Sequence, residues 1–401
     1  RRPPRSTHCI SSAASDVYKR QSLDGSPVEY AFMFIEKITA TPIKIPLTKD
    51  FGGSTYSVTS RCTVVTQLWV KDGPVAEVYN GDNRSHGREI ADLIDKQIAP
   101  LLIGEDVRNW QLLNLKLRRK LVTAALSAEL FSQAIACVDT AIWDAIGRCF
   151  DVSVCRLLGG VSDRREIISI GGYYEDGKTL DDLAREMQDL KDLGMSGCKV
   201  KVGGLTPEED AKRVRIAREA NGPDFLIAVD ANRGWSWRDA TKFANLVEDQ
   251  EIAWFEEPCH WMDDIRGMRE VRQRTKIPIN AGQSELSGQG IRRLINSNAV
   301  DIVNFDASEG GGVSTWKKVA AIAELSDIYL THHEEPQIAS HLLSSQPHGM
   351  SVECFANPER DPLWAEMLIE GPKVADGLIH IPETSGFGIR LDPSAIKKFQ
   401  I

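Results

Sequence analysis

The sequence predicts an α/β protein built on a closed barrel of parallel strands, with a smaller α+β unit ahead of it. Three observations carry this. From about Ile167 onward, short apolar runs alternate with helix-period stretches about every 25 residues, the pattern of βαβ units. About eight such units in about 200 residues suit a closed (β/α) barrel better than an open doubly wound sheet. Polar groups also gather at the ends of successive apolar runs: Lys199 and Lys201, Asp230, Glu256, Gln283 and Glu285, Asp306, His332 and His333, and Glu353. In a barrel those strand ends converge on one face, which is where active sites lie.

The elements follow in order. Residues 1 to about 27 are basic, then low in complexity, with no apolar core of the kind a secretory signal needs. Residues 1–32 therefore read as a non-native or disordered extension, with Met33 as the natural start. Residues 35–46 alternate as a strand does. A glycine-containing loop, Phe51–Tyr56, is followed by a hairpin strand from Cys62 that ends in an Asp72-Gly73 turn. A polar loop from Tyr79 to His86 precedes amphipathic helices from about 88 to 150. In the barrel region, Thr206, Ser236 and Ser314 read as helix starts. Gly310–Gly312 marks a tight turn after the Asp306 strand. No G-x-G-x-x-G follows the first strand, which argues against a dinucleotide fold.

Composition narrows the function. With 48 Lys+Arg against 57 Asp+Glu, the net charge is −9, which argues against nucleic acid as partner. It leaves open an anionic small molecule, because a local pair of lysines or a metal outweighs the global charge. No apolar run is long enough for a membrane helix. The eight cysteines are scattered with no C-x-x-C pair, as in a cytoplasmic protein with reduced thiols.

Asp230 and Glu256 lie 26 residues apart at the tips of consecutive strands, and a third oxygen group follows one unit later. Hard oxygen donors on neighbouring tips are what Mg²⁺ requires. Lys199 and Lys201 are two apart and so project to one side of their strand. Mutual repulsion and desolvation there are expected to lower their pKa, as a lysine base requires. His333 lies 27 residues after Asp306, so a carboxylate on one strand can fix the tautomer of an imidazole on the next. Adjacent His332 and His333 point to opposite sides, and only one can face the mouth.

Together, Lys199-Val200-Lys201, Val229-Asp230-Ala231-Asn232, Phe255-Glu256-Glu257-Pro258, Asp306, His333 with His341-Leu342-Leu343, and Glu353 closely resemble the mandelate racemase subgroup of the enolase superfamily (the mandelate racemase/muconate lactonizing enzyme family). The resemblance runs from Met33 to the C-terminus. It implies a modified TIM barrel, (β/α)₇β, over 126–365 and an α+β capping domain over 33–125, completed by 366–401. It also implies one Mg²⁺ per active site, and a base that removes the proton α to the substrate carboxylate while the metal stabilises the enediolate. Carried over, Lys201 is the base on one face, with Lys199 beside it. His333, oriented by Asp306, is the acid/base on the other face. Glu353 hydrogen-bonds the developing charge, and Asp230 and Glu256 bind metal. The third ligand departs from the family's usual carboxylate: Gln283 stands at that position and Glu285 is the nearest acid, and both stay open. Tyr56, Arg84, His86 and Asn232 are the expected substrate contacts.

Two reactions fit these residues. One is dehydration of a sugar acid (aldonate or aldarate) to a 2-keto-3-deoxy acid. The other is racemisation or epimerisation of a 2-hydroxy acid by Lys201 and His333 in turn. Polar cap loops, with Ser54–Tyr56 and Asn80–His86, favour the first. A muconate-type cycloisomerase would be expected to carry a lysine near Asp306, and none is there. An inactive barrel kept as a binding protein is the non-enzymatic alternative. The resemblance further implies a closed homo-oligomer, dimer to octamer.

Overall fold

The computed structural model describes residues 32–81, 86–123, 127–260 and 264–401. After Phe32 the chain from Met33 to Ile401 forms one unit. It opens with an antiparallel sheet of β1 (Ile35–Gly52), β2 (Ser57–Val70) and β3 (Val75–Asn80). The β2–β3 turn places Asp72 at φ 55° ahead of Gly73, the left-handed geometry an Asp-Gly hairpin needs. The helix Ala128–Phe150 packs on β2 and β3, and every residue from Phe131 to Gly147 is buried. Buried acids on this helix hold distant backbone. Asp139 accepts from the Ser314 amide at 2.8 Å, and Asp144 from those of Phe387 at 2.8 Å and Glu77 at 3.1 Å.

Eight parallel strands follow: β4 (Arg164–Gly171), β5 (Gly197–Lys201), β6 (Leu226–Asp230), β7 (Phe255–Glu256), β8 (Ile279–Ala281), β9 (Ile302–Asn304), β10 (Tyr329–Thr331) and β11 (Val352–Glu353). They pair in chain order from β4 to β10. β11 pairs with β4, and a parallel bridge between Leu330 and Gly349 closes the ring. A helix follows each strand from β4 to β10 and none stands between β10 and β11 except Pro336–Ser344, so the ring is (β/α)₇β. Thr206 and Ser236 start their helices as the sequence implies, Thr206 in a capping box, and a further capping box stands at Thr179. Ser314 does not start its helix. Gly312 is the cap, and Ser314 lies buried in the first turn with its hydroxyl on Trp143.

Period-two alternation sorts the barrel interior into layers. Ile168, Ala228, Trp254 and Ile302 form an apolar plug. One step toward the C-terminal ends the inward residues turn polar, and Lys201, Asp230, Glu256 and Asn280 share one register row. After β11 the chain returns to the first sheet. The Leu391 amide bonds Glu77, Gln400 bridges Ile43, and the Ile401 amide bonds the Pro42 carbonyl. No helix among the described residues is long and apolar enough to cross a membrane.

Candidate active site

Strand β5 ends in two lysines that share its inner face, and both ammonium groups are held by carboxylates. Lys199 Nζ lies 2.6 Å from Glu256 Oε1, bonds Glu353 Oε1, and is 3.8 Å from Asp230 Oδ2. Lys201 Nζ donates to Asp230 Oδ2 at 2.7 Å and Asn232 Oδ1 at 3.1 Å, with the rings of Tyr56 and Tyr173 at 5.6 and 5.9 Å. The expected lowering of the lysine pKa is corrected by this geometry. Burial does pull both groups down, but Glu256, Glu353 and Asp230 more than offset it for Lys199, and Asp230 does so for Lys201. Both stand above the ordinary lysine value. The same contact holds Asp230 below its usual range against the opposing effect of burial. Glu256 is raised by burial, then by Asp230 and Glu353, with Lys199 opposing.

The tips of β7 and β8 resolve the third-ligand alternatives into two different environments. β8 stops at Ala281, and Gly282, at φ 135°, turns the chain. Gln283 and Glu285 therefore do not share a strand face. The Gln283 amide donates to Glu257 Oε2 at 2.9 Å, and its oxygen faces Asn304 Nδ2 at 3.4 Å. Glu285 instead packs its carboxylate against Gly290 in the next helix, with Arg293 3.7 Å away. Among the described residues no three of His, Cys, Asp and Glu converge as a metal would require. The oxygen donors gathered here are two carboxylates and an amide. The buried Oδ1 atoms of Asn280 and Asn304 have no hydrogen-bond partner. Their amide groups contact Glu256 and Gln283. Oxygen donors in excess of donor hydrogens fit a hard cation.

Past β10, His333 Nδ1 lies 2.9 Å from Asp306 Oδ2, and Asp306 Oδ1 is fixed by the Ser308 amide at 2.7 Å. Burial pushes the His333 ring down, but Asp306 and then Glu334 raise it to about 9, so it is an imidazolium at neutral pH. His332 turns the other way. It is buried, accepts from the Ala307 amide, and its pKa is lowered by burial. His341 is also structural, bonded to the Cys155 amide and the Phe387 carbonyl. Strands β5 and β10 stand three steps apart around the ring in one direction and five in the other.

The loop Phe51–Tyr56 lies over the strand ends, with Ser54 and Thr55 bonded to the carbonyls of Ala231 and Asn232. Asn232, at φ 41°, braces Lys201 and Asp230. Asn80 is buried and ties Thr140 to Ser308. His86 is exposed at the start of the helix Gly87–Leu93. Asp82, Asn83, Arg84 and Ser85 lie outside the described residues. Sequence reasoning missed Arg61, Tyr173, Arg233, Glu257, Asn280, Glu334 and Arg360. One signal was available for Arg61, a lone cation inside an apolar strand run. The paired acids Glu256-Glu257 and Glu334-Glu335 offered another.

Comparison with known proteins agrees with this geometry. Residues 182–395 match the enolase C-terminal domain-like family, and 37–159 match the mandelate racemase / muconate lactonizing enzyme N-terminal domain. An L-talarate/galactarate dehydratase of Salmonella typhimurium is 28% identical, over 90% of this chain and 88% of its own. A solved mandelate racemase/muconate lactonizing enzyme is 40% identical, covers 92% of this chain and 100% of its own, and superposes with a TM-score of 0.88. Another, from a marine actinobacterium and in complex with magnesium, is 37% identical over 92% of this chain and 99% of its own, with a TM-score of 0.85. The similar enzymes differ in reaction and include dehydratases, cycloisomerases and an epimerase. The barrel, its cap and the domain matches make the chain a member of the mandelate racemase/muconate lactonizing enzyme subgroup of the enolase superfamily.

Proposed function

We propose that this protein is a Mg²⁺-dependent hydro-lyase that converts a sugar acid to its 2-keto-3-deoxy acid. The observation that carries the reading is His333, held as an imidazolium by Asp306, on a strand remote from the lysine strand. Elimination needs a base for the α-proton and a separate acid for the departing hydroxyl. This pairing supplies both kinds of group.

Asp230, Glu256 and the Gln283 amide oxygen are the groups that would hold the metal. When bound, Mg²⁺ supplies positive charge to the substrate carboxylate and competes with the lysines for their carboxylates. Within the chain, Lys201 is an ammonium while it is paired to Asp230. It would take the proton from the α-carbon as the free amine it can become once Asp230 faces another cation, and Asn232 Oδ1 keeps its Nζ in place. Lys199 donates to the carboxylate that gains charge, and Glu353, which accepts from Lys199 and from the Glu334 amide, holds that ammonium in place. His333 gives its proton to the β-hydroxyl, which leaves as water. The resulting enol ketonises in solution, and the proton count closes when Lys201 releases its proton and His333 takes one up. Tyr56 and Tyr173 line the lysine side and limit water there.

The test is to incubate the protein and Mg²⁺ with a library of five- and six-carbon sugar acids and with small 2-hydroxy acids. Semicarbazide reports keto product and polarimetry reports optical rotation. Keto product that EDTA abolishes and Mg²⁺ restores is the expected result. Loss of rotation in a 2-hydroxy acid, with no keto product from any sugar acid, overturns the reading in favour of a racemase.

A further inference from the structure

The nitrogen of His333 that Asp306 leaves unused has a second acid beside it. Glu334 Oε1 lies 3.8 Å from His333 Nε2. This carboxylate is not a loose neighbour. Its own amide donates to Glu353 Oε2 at 3.0 Å, so the backbone is tied to the end of β11. Its Oε2 is 2.7 Å from Arg61 Nη1, a guanidinium of β2 in the capping sheet. Arg360, 3.5 Å from Oε1, approaches from the loop after β11 while donating to the Tyr173 hydroxyl at 3.1 Å. Arg61, Glu334 and Arg360 are 4%, 7% and 2% exposed. Glu334 and Glu335 also hold φ values of 49° and 50°. Two successive non-glycine residues in the left-handed region persist only where surrounding contacts dictate them, and such strain gathers at functional sites.

We infer that Glu334 is a positioning residue for His333: pinned by Arg61 and Arg360, it presents a second carboxylate to Nε2 and keeps the ring in its charged, proton-donating form. The cap contributes to this through Arg61, so a barrel without its docked sheet would lack one of the groups that hold Glu334 ionised. The direction of each shift agrees. Burial pushes the Glu334 carboxyl up, yet Arg61, His333 and Arg360 hold it far below the usual range. The other groups facing the ring are Asp306, Glu353, Glu309 and Glu257, together with the neutral ring of His332. Of these, Asp306 takes Nδ1, and Glu334 is the acid that approaches Nε2, at 3.8 Å.

The proposal is tested by the titration of His333 in the full-length protein labelled with ¹⁵N-histidine, the signal assigned by its loss in His333→Asn. The wild-type midpoint is expected near 9. Glu334→Gln should lower it by one pH unit or more, a tenfold change in the ratio of charged to neutral ring. Should Glu334→Gln fail to fold, Glu334→Gly removes the carboxylate and relieves the positive φ at once, with the same shift expected. A midpoint that stays within a few tenths of a unit in a folded variant overturns the proposal. The use of this charge in elimination rests on the dehydration reading, but the titration does not: absence of keto product with an intact Glu334-dependent shift would discard only that reading. Where the enzyme is active, the alkaline limb of its pH–rate profile should move down with the midpoint, and an unmoved limb counts against the proposal.

Discussion

The proposed place of Gln283 among the metal's oxygen donors predicts how Gln283→Glu behaves. Gln283 donates to Glu257 Oε2 at 2.9 Å. Gln283→Glu replaces that donor with a second acceptor. Losing a hydrogen bond to a charged group costs about 1.5–3 kcal/mol. Two carboxylates about 3 Å apart would repel by roughly 5 kcal/mol at an effective dielectric of about 20. Taking up one proton costs less: from a reference near 4.3, it is about 4 kcal/mol at pH 7 and about 1 kcal/mol at pH 5. The protonated pair then regains a hydrogen bond, so protonation wins and caps the penalty. The variant should therefore melt about 5 °C below wild type in EDTA at pH 7 and close to it at pH 5. Saturating Mg²⁺ should close most of the pH 7 gap, because the added carboxylate then has a cation. Differential scanning calorimetry under the three conditions is the assay. A variant as stable as wild type in EDTA at pH 7, or a gap that Mg²⁺ leaves unchanged, would refute both the Glu257–Gln283 contact and the place of Gln283 at the metal.

Three further outcomes are expected. Lys201→Met should abolish exchange of the substrate α-proton in D₂O, a loss of roughly 10²–10⁴-fold, with the fold kept because Lys199 still lies 3.8 Å from Asp230. Asp306→Asn preserves shape but removes the charge on Nδ1. The His333 midpoint should fall below about 9, and turnover by a comparable factor of roughly 10²–10⁴; near-normal turnover would remove the dyad from the mechanism. The raised His333 pKa also has a sign for stability: its contribution is complete below pH 6.5 and is lost as pH rises through about 9. Urea denaturation across that window should show wild type losing roughly 3 kcal/mol relative to His333→Asn, and parallel curves would contradict it.

The barrel was legible because its signals are local and repeated. Buried strands such as Leu226–Asp230 end in polar residues at a regular interval, and caps such as Thr206 with Glu209 mark helix starts within four residues. The lysine pair and the Asp306–His333 pair were legible for the same reason, since strand spacing fixes which side chains share a face. What failed depended on partners far away in sequence. The direction of the lysine shifts was misread because spacing reveals the neighbouring ammonium but not Glu353, which is 154 residues from Lys199. Gln283 and Glu285 stand two apart at the end of one apolar run, and spacing alone leaves both open as ligands; the glycine before them, at φ 135°, takes them off the strand. Arg61 reaches Glu334 across the interface between sheet and barrel, a contact no periodicity encodes.

The charges around the mouth bear on the substrate. Each described cation there already faces an acid: Lys199 faces Glu256 and Glu353, Lys201 Asp230, Arg233 Glu257, His333 Asp306, and Arg61 and Arg360 Glu334, with Asp361 also beside Arg61. Among these groups, and leaving out Glu309 and Glu335, whose carboxyls burial pushes up, the acids exceed the cations by one. A divalent metal together with one substrate carboxylate cancels that excess. A second carboxylate on the same substrate would enter with every described cation taken, and an unpaired buried charge costs at least about 1–3 kcal/mol. Within the proposed function, aldonates are therefore expected to exceed aldarates of the same carbon number by about tenfold or more in kcat/KM. Side-by-side keto-acid assays on matched pairs of known stereochemistry decide this. An aldarate that equals or surpasses its aldonate would mean that a further cation reaches the site, and would direct attention to Arg84 in the cap loop.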